Sequence, residues 1–441
     1  MDAENLARSI VERLRAEGHA AFLVGGCVRD LLLARQAKDF DVATSARPEE
    51  LLRLFPDAGQ IGAHFGVVLV RECGAQVEVA TFRSDLDYRD GRHPEGVRFE
   101  TEPREDVRRR DFTINALLLD PATGEVLDFV GGRADLAAGV IRAIGDPELR
   151  FREDRLRMLR AVRFAARLRF EIEPGTMEAI RRMAPTAGDI AAERVRDEIS
   201  RILIEGGARY GFELLERSGL LHEVLPEVEK LRGVEQPPEF HPEGDVWIHT
   251  LTMLEKLREP TVELALGVLL HDIGKPDTFR VADRIRFDGH VEKGVEIARV
   301  MLRRLKYSND TIEAVEALID NHMKFKDAPR MRESRLKRFM RMPHFEEHME
   351  LHRLDCLSSH GSLENYEFIR RKQRETPPEQ LKPQPLLTGR DLIAEGYRPG
   401  PLFGEVLREV EDAQLEGRIT TREQALELAR NKSGQAVPPL P

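Results

Sequence analysis

Two aspartates stand two residues apart in Lys38-Asp39-Phe40-Asp41-Val42-Ala43-Thr44. The residues around them are apolar and β-favouring, and on a strand positions i and i+2 face the same way. Asp39 and Asp41 then project together, with Phe40 and Val42 turned to the other side. Two like charges side by side repel, and packing does not call for them. A divalent cation resolves the conflict, so the pair reads as a metal site; the competing reading is two solvated acids at a turn. Glu78, in Gln76-Val77-Glu78-Val79-Ala80-Thr81-Phe82, faces away from Val77 and Val79 and offers a third carboxylate. An exposed acid on an amphipathic strand is its plainer reading.

A second constellation lies far downstream. His249 precedes an apolar helix that runs into Leu269-Leu270-His271-Asp272-Ile273-Gly274-Lys275, and Asp355 follows much later. Imidazole and carboxylate together suit a first-row transition metal. His290 and His322 fall between them.

A third pattern is Glu153-Asp154-Arg155-Leu156-Arg157, read as the start of a helix over 153–169. Asp154 and Arg157 are three apart and so are neighbours on that helix. Cytosine and adenine both carry an exocyclic amine beside a ring-nitrogen acceptor. A carboxylate can take the amine and a guanidinium can serve the acceptor, whereas uracil and guanine present a carbonyl where the amine would be. Arg160 and Arg163 continue along the same helix towards phosphates. An ordinary i,i+3 salt bridge is the alternative.

The elements that must position these groups follow from periodicity. Residues 4–17 carry Leu6, Ile10 and Leu14 at helical spacing. Ala21–Val24 is a short buried strand ending in Gly25-Gly26, and Val28–Leu33 is helical. Such a turn brings backbone N–H groups to a phosphate, with Arg29 beside them, or serves only as a tight bend. Residues 48–55 form a helix opening at Pro48, and 67–70, 76–82 and 126–130 are strands. Residues 83–103 read as a functional loop, and the triplet Arg108-Arg109-Arg110 points to anion contact. From about 148 strand signals nearly stop, and helices follow at 153–169, 176–183, 192–204 and 208–217, which marks an α/β head and a helical body. Pro377-Pro378 and Lys382-Pro383-Gln384-Pro385 mark a linker before a small helical module, whose Pro-Gly-Pro-x-x-Gly turn at 399–404 is a candidate phosphate contact. Residues 432–441 read as a tail.

The chain has 441 residues, enough for two to four domains, and its net charge is −10. That excludes a chain that is basic throughout, not one with basic stripes. Arg150–Arg169 holds eight arginines against two acids, and Arg330–Arg341 six basic residues against one acid. The latter is a candidate RNA-backbone contact or a solvated helix face. No run of eighteen apolar residues occurs, so no membrane span is expected, and the N-terminus lacks a secretory pattern. Three scattered cysteines, Cys27, Cys73 and Cys356, fit reduced thiols in a cytoplasm.

Several blocks occur in a fixed order: Val24–Asp30, Lys38–Thr44, Arg109–Leu117, Asp128-Phe129-Val130-Gly131-Gly132 and Glu153–Phe164. Together they resemble the motif set of class II tRNA nucleotidyltransferases and bacterial poly(A) polymerases over residues 20 to about 205. The resemblance implies an α+β chain with a polymerase-β-like nucleotidyltransferase head, followed by an all-α neck and body. It implies template-independent addition or repair of the 3′-terminal CCA of tRNA from CTP and ATP, with no template nucleic acid. By position, Asp39 and Asp41 match the Mg²⁺-binding pair and Glu78 a third acid. Gly26, Arg29 and Arg110 match phosphate contacts, and Asp154, Arg157, Arg160 and Arg163 the contacts to the incoming nucleotide. Residues 240–360 resemble the HD superfamily of metal-dependent phosphohydrolases, with His249, His271, Asp272 and Asp355 as one ligand set and His290 and His322 as additional ligands. The expected domains are 1–147 (head), 148–232 (neck and body), 233–375 (HD-type) and 386–431 (C-terminal module). CCA, CC-only, A-only and poly(A) products remain open, with CC-only disfavoured by the loop at 83–103. So do a hydrolytic HD site, a metal-free HD core that packs or binds RNA, and a non-catalytic RNA-binding chain.

Overall fold

The computed structural model describes residues 2–37, 39–60, 66–85, 96–239, 241–242, 244–397 and 400–433. Lys38, the middle of the 83–103 loop (86–95), Pro399 of the expected phosphate turn and nearly all of the expected tail lie outside them. The chain divides into two units. The first comprises Met1–Lys230, Arg258–Val262 and Val300–Ser308, and the second Leu231–Leu257, Glu263–Arg299 and Asn309–Pro441.

Helix α1 (Ala3–Ala16) opens the first unit, capped by the Asp2 carboxylate on the Asn5 N–H and burying Leu6, Ile10, Val11 and Leu14. Strand β1 (Ala21–Val24) follows, then α2 (Gly26–Leu32), β2 (Asp41–Thr44) and α3 (Pro48–Leu54). Next come β3 (Gly59–Gln60), β4 (Val67–Glu72) and β5 (Ala75–Thr81). Period-two burial runs through the aspartate motif: Phe40 and Val42 are buried, while Asp39 is exposed and Asp41 half-buried. Asp39 itself precedes the strand, so only Asp41 is locked into the ladder.

Strands β6 (Arg83–Asp85) and β7 (Val97–Phe99) pair with each other, so the ends of the expected loop are ordered as a hairpin stem. Helix α4 (Pro103–Arg108), a 3₁₀ turn over Thr113–Asn115, β8 (Leu118–Leu119) and β9 (Val126–Leu127) complete the head. Its seven-stranded sheet has the order β3-β4-β5-β2-β1-β8-β9. Within it β2 and β5 run parallel, with Asp41 opposite Glu78, and the other neighbours are antiparallel. Val24, Ala43, Phe82, Val107, Ala116 and Leu118 close one core beneath it.

The strand expected over 126–130 stops at Leu127. The Asp128 carboxylate instead collects the N–H groups of Val130, Gly131, Gly132 and Arg133 at 2.9–3.1 Å, which folds that segment into the start of α5 (Gly132–Ala138).

Helices α6 (Pro147–Glu153), α7 (Leu156–Leu168), α8 (Pro174–Met183), α9 (Ala192–Ile204) and α10 (Ala208–Arg217) follow. The single helix expected over 153–169 is broken. Asp154 is extended (φ −149°, ψ 104°) and its side chain accepts the Leu156 N–H at 3.1 Å, ending one helix and starting the next. Arg169 then closes α7 in the left-handed conformation.

The histidine cluster of the second unit lies on helices Val246–Lys256 and Phe345–Ser358, at the start of His290–Arg304 and just past the ends of Val262–Leu270 and Asn309–Asn321. The short strands Arg280–Val281 and Ile285–Arg286 form a hairpin. A separate core of Leu387, Leu392, Tyr397, Val406, Val410 and Ala425 builds the C-terminal module. Gly400 is extended (φ 174°) and a side chain there would meet nothing, so its backbone does not demand glycine.

Close packing singles out Gly132. A Cβ there would lie 2.2 Å from the Thr113 carbonyl oxygen, a backbone atom that has no room to yield. Gly132→Ala is expected to lower the thermal midpoint of the first unit by about 5–10 °C, read by calorimetry. Gly188→Ala, where nothing lies within 4 Å, serves as the unchanged control.

Candidate functional site

A cavity of about 850 Å³ opens in the first unit, and its lining includes Gly25, Gly26, Arg29, Asp39, Asp41 and Arg110. Asp154, Arg157, Arg160 and Arg163 line it too, so most of the first-half site residues expected from the sequence share one cavity. Glu78 lies opposite Asp41 on β5, exposed and beside the cavity lining rather than part of it. Burial, then the charges of Glu78 and Asp39, push the Asp41 carboxyl up to about 6 against the pull of Arg110. Gly25 sits at φ 81°, a left-handed conformation that favours glycine, and a Cβ there would touch both Arg110 and the Asp41 carboxylate.

The arginines behave differently from the expectation. Arg109 and Arg110 both grip Asp106, at 2.7 Å and 2.9 Å, so the anion held by two of the triplet is a buried side chain of α4. Arg108 pairs with Glu105 at the surface. Arg29 is buried, with its guanidinium bound to Asp30 and to the Asn115 side-chain oxygen at 2.6 Å. Arg163 is buried against Glu198 at 2.6 Å. Arg160 forks onto Asp111, which also accepts from Asn115 and from the Phe112 N–H. Burial raises the Asp111 carboxyl, but Arg160 and Asn115 override it and hold it down at about 2.

Asp154 and Arg157 are not paired with each other, neither on one helix face nor as an i,i+3 salt bridge. Asp154 is bound by Arg194 of α9 at 2.8 and 3.0 Å. Arg157 donates to Glu153 at 2.7 Å and to the carbonyls of Arg109 and Arg150. Asp106, Asp111, Asn115 and Arg194 are the participants that sequence reading missed. The i,i+3 and i,i+4 spacing of Asp106 to Arg109 and Arg110 was a signal for the first; no local pattern marks Arg194.

The second unit holds another cavity of about 910 Å³, lined in part by His271, Asp272, Lys275, His290, His322 and Asp355. Among the described residues, two groups of three ligand atoms lie within 4.8 Å of one another, and both are here: His249, His271 and Asp355, and Asp272, His290 and His322. The expected division of ligands therefore shifts. Asp272 joins the second group through Oδ1, 3.8 Å from His290 Nε2 and 3.9 Å from His322 Nε2, while its Oδ2 lies 3.1 Å from His271 Nε2.

The imidazoles are oriented for this. Nδ1 of His271, His290 and His322 donates to the carbonyls of Val268, Phe287 and Ile319 at 3.0, 2.8 and 2.6 Å. A donating Nδ1 leaves Nε2 as the lone-pair nitrogen of a neutral ring. Nε2 of these three rings is buried with no hydrogen-bond partner. Burial pushes His322 down to about 4, so it is neutral near pH 7. Three lone pairs facing a carboxylate fit a cation and disfavour its absence. Gly274 admits the backbone of the next helix: a Cβ there would lie 2.1 Å from the His290 carbonyl oxygen.

Basic residues 330–341 split into two sets. Arg338 and Arg341 bind Glu411, Arg338 also binds Asp412, and Lys337 donates to the Leu415 carbonyl. Arg330, Arg332 and Arg335 remain exposed and make no ion pair among the described residues.

The sequence matches the Poly A polymerase head domain over residues 21–142, the polymerase A RNA- and SrmB-binding region over 169–231, and tRNA nucleotidyltransferase domain 2 over 291–429. It is 34% identical over 424 residues to a CCA-adding enzyme of Leuconostoc mesenteroides subsp. mesenteroides, covering 96% of this chain and 94% of that protein. The chain belongs to the CCA-adding enzyme family. It is accordingly a nucleotidyltransferase, with the polymerase-β-like head expected from its motifs. The crystal structure of the Bacillus stearothermophilus CCA-adding enzyme in complex with CTP superposes with a TM-score of 0.75 at 28% identity, over 97% of each chain. The Thermotoga maritima CCA-adding enzyme complexed with tRNA shares the fold, with a TM-score of 0.59 at 21% identity over 97% of this chain and 95% of that one. Among the described residues no helix is long and apolar enough to cross a membrane.

The raised Asp41 carboxyl has a consequence for stability. Its folded value lies above its unfolded one, so the native state binds the extra proton between about 4 and 6, and stability falls as pH rises through that window. Asp41→Asn removes this loss. In chelator-treated protein, the Asn variant is expected to match the parent near pH 4 and to melt higher above pH 6, as followed by thermal denaturation across pH.

Proposed function

We propose that the first-unit cavity adds or repairs the 3′-terminal CCA of tRNA from CTP and ATP without a template. The observation that carries this is the register of β2 on β5, which puts Asp41 opposite Glu78 at a cavity otherwise rich in guanidinium. Relatives crystallised with CTP and with tRNA support the choice of substrates. Asp39, Asp41 and Glu78 offer only carboxylate oxygens, the hard donor set that suits Mg²⁺, which when bound neutralises triphosphate charge and acidifies the attacking hydroxyl. Glu78, exposed on the strand beside Asp41, orients that 3′-hydroxyl or takes its proton. Arg110 stands over Gly25 beside Asp41 and faces the phosphates, with Gly26 and the fixed charge of Arg29 behind it. Asp154 takes the exocyclic amine of cytosine or adenine, Arg157 serves the neighbouring ring nitrogen, and Arg160 and Arg163 keep their side of the cavity positive. On this reading residues 1–147 are the head, 148–232 the base-reading neck and body, 233–375 an HD-type domain and 386–431 a helical module. Exposed Arg330, Arg332 and Arg335 are assigned to RNA backbone.

Incubation with tRNAs ending before, within and after CCA, with each labelled nucleotide in turn, tests the reading. Addition of C, C and A to the shortest acceptor is expected. No incorporation with Mg²⁺ overturns it, and A alone or a run of A would replace the product. Asp41→Ala is expected to reduce incorporation at least about 10³-fold, judged from the size of such electrostatic contributions, while His271→Ala leaves it unchanged.

The second-unit geometry favours a further activity, an HD-type metal-dependent phosphohydrolase. Two ligand trios joined by Asp272, with Nε2 lone pairs set by backbone carbonyls, support a divalent transition metal there. Such an ion, when bound, supplies Lewis acidity and an activated water to a phosphate ester. Lys275, 2.7 Å from Asp272 and 2.6 Å from Gln236, holds that carboxylate in place. Elemental analysis after equilibration with Mn²⁺, Co²⁺ or Ni²⁺ is expected to find bound metal in the parent protein and much less in the His271→Ala and His322→Ala variants. Equal retention in all three proteins would sink this reading.

A further inference from the structure

Carboxylate and guanidinium valences around Asp154 can be counted. An ionised carboxylate has two oxygens and about four lone-pair sites. At Asp154, Oδ1 accepts from the Leu156 N–H at 3.1 Å and from Arg194 Nη1 at 3.0 Å. Oδ2 accepts from Arg194 Nη2 at 2.8 Å. One lone-pair site, on Oδ2, is left, and it belongs to a side chain that lines the cavity. Arg157 is also partly spent: Nη1 serves Glu153 and the Arg150 carbonyl, and Nη2 gives one hydrogen to the Arg109 carbonyl. Its Nε–H and one Nη2 hydrogen remain. The pair that faces the base is thus held by five partners, the Leu156 N–H, Arg194, Glu153 and the carbonyls of Arg150 and Arg109.

We propose that Arg194 is a positioning residue that sets nucleotide specificity, by fixing Asp154 as an oriented, single-site acceptor. The inference rests on the reading that Asp154 receives the exocyclic amine of the incoming base. A two-point fork fixes the carboxylate plane as well as its charge, which a lysine does not do. With Arg194 removed, the carboxylate turns about its own side-chain bonds and gains open lone pairs. Its orientation then follows whatever base arrives, water included. Rejection of uracil and guanine depends on an acceptor that meets their carbonyls head-on and stays there. Once the acceptor swings aside, that repulsion is relieved, while cytosine and adenine lose only alignment. Arg194 also lies on α9 and Asp154 between α6 and α7, so the fork makes base selection depend on how those helices are set together.

The test is kcat/KM for CTP, ATP, UTP and GTP on one tRNA acceptor, for the parent, Arg194→Ala, Arg194→Lys and Asp154→Asn. For Arg194→Ala, the preference for CTP over UTP and for ATP over GTP is expected to fall about tenfold or more, a scale set by loss of one hydrogen-bonded discriminating contact. Arg194→Lys restores charge without the fork and should recover little of it. In an Asp154→Asn background Arg194→Ala should add no further change, because the residue acts through that carboxylate. A purely structural role lowers all four values together and leaves the ratios intact, and that result overturns the proposal. If Asp154→Asn itself leaves the ratios unchanged, base reading by Asp154 is what has failed. If Asp154→Asn shifts them and Arg194→Ala does not, only the role of Arg194 is refuted.

Discussion

The first unit depends on a lattice of arginines held by buried carboxylates. Asp111 is its centre: it is almost fully buried, yet accepts from Arg160, Asn115 and its own neighbour's N–H, and stays ionised. Asn115 passes the connection to Arg29, Arg29 to Asp30, and Asp30 to Arg167 on α7. A chain of this kind ties the 3₁₀ turn of the head to the first long helix of the body without relying on apolar area. Buried ion pairs contribute little net stability, because desolvation offsets attraction. What they supply is fixed direction, since losing one partner strands a buried charge.

That constraint explains how a chain of net negative charge can present a positive cavity. Nine arginines line it, and among the described residues all but Arg201 are held by a carboxylate. Their side chains are ordered before any ligand arrives. A polyanion then meets donors that need no reorganisation, the condition under which electrostatic stabilisation is largest. The carboxylates that order them reduce the long-range field but keep the local one directed. Arg29 illustrates the division: Asp30 and Asn115 take its guanidinium, and it contributes as a fixed charge in the wall.

Much of this was legible. The pairing of Gly25-Gly26 with Asp39 and Asp41 gave the floor of the cavity, because period-two burial and glycine conformational freedom are local properties. Glu78 was legible as an acid on a neighbouring strand, although its register opposite Asp41 is a property of the sheet. The helix over 153–169 was misread for a physical reason. Nothing in its composition breaks it; the break comes from the Asp154 side chain turning back onto the Leu156 N–H and being held by Arg194, forty residues away. The triplet's spacing shows cations available for an anion, but not that Asp106, one turn earlier, binds two of them while both still line the cavity. The basic stretch at 330–341 was likewise half consumed by Glu411 and Asp412, which no window of local sequence could show. Sequence spacing reports which charges can meet on one element, and tertiary packing decides which of them do.

The two acidic centres of the chain solve the same electrostatic problem with different donors. In the head, carboxylates stand beside carboxylates, and their repulsion appears as the raised Asp41 value. Oxygen donors near solvent leave room for a cation that keeps much of its water and reaches a triphosphate. In the second unit three imidazoles are turned by a backbone carbonyl on Nδ1, so that Nε2 faces inward without a hydrogen-bond partner. Imidazole nitrogens with the carboxylates of Asp272 and Asp355 make a donor set that suits a softer ion than oxygen donors alone. The two donor sets thus differ in hardness, the first all carboxylate oxygen and the second mostly imidazole nitrogen.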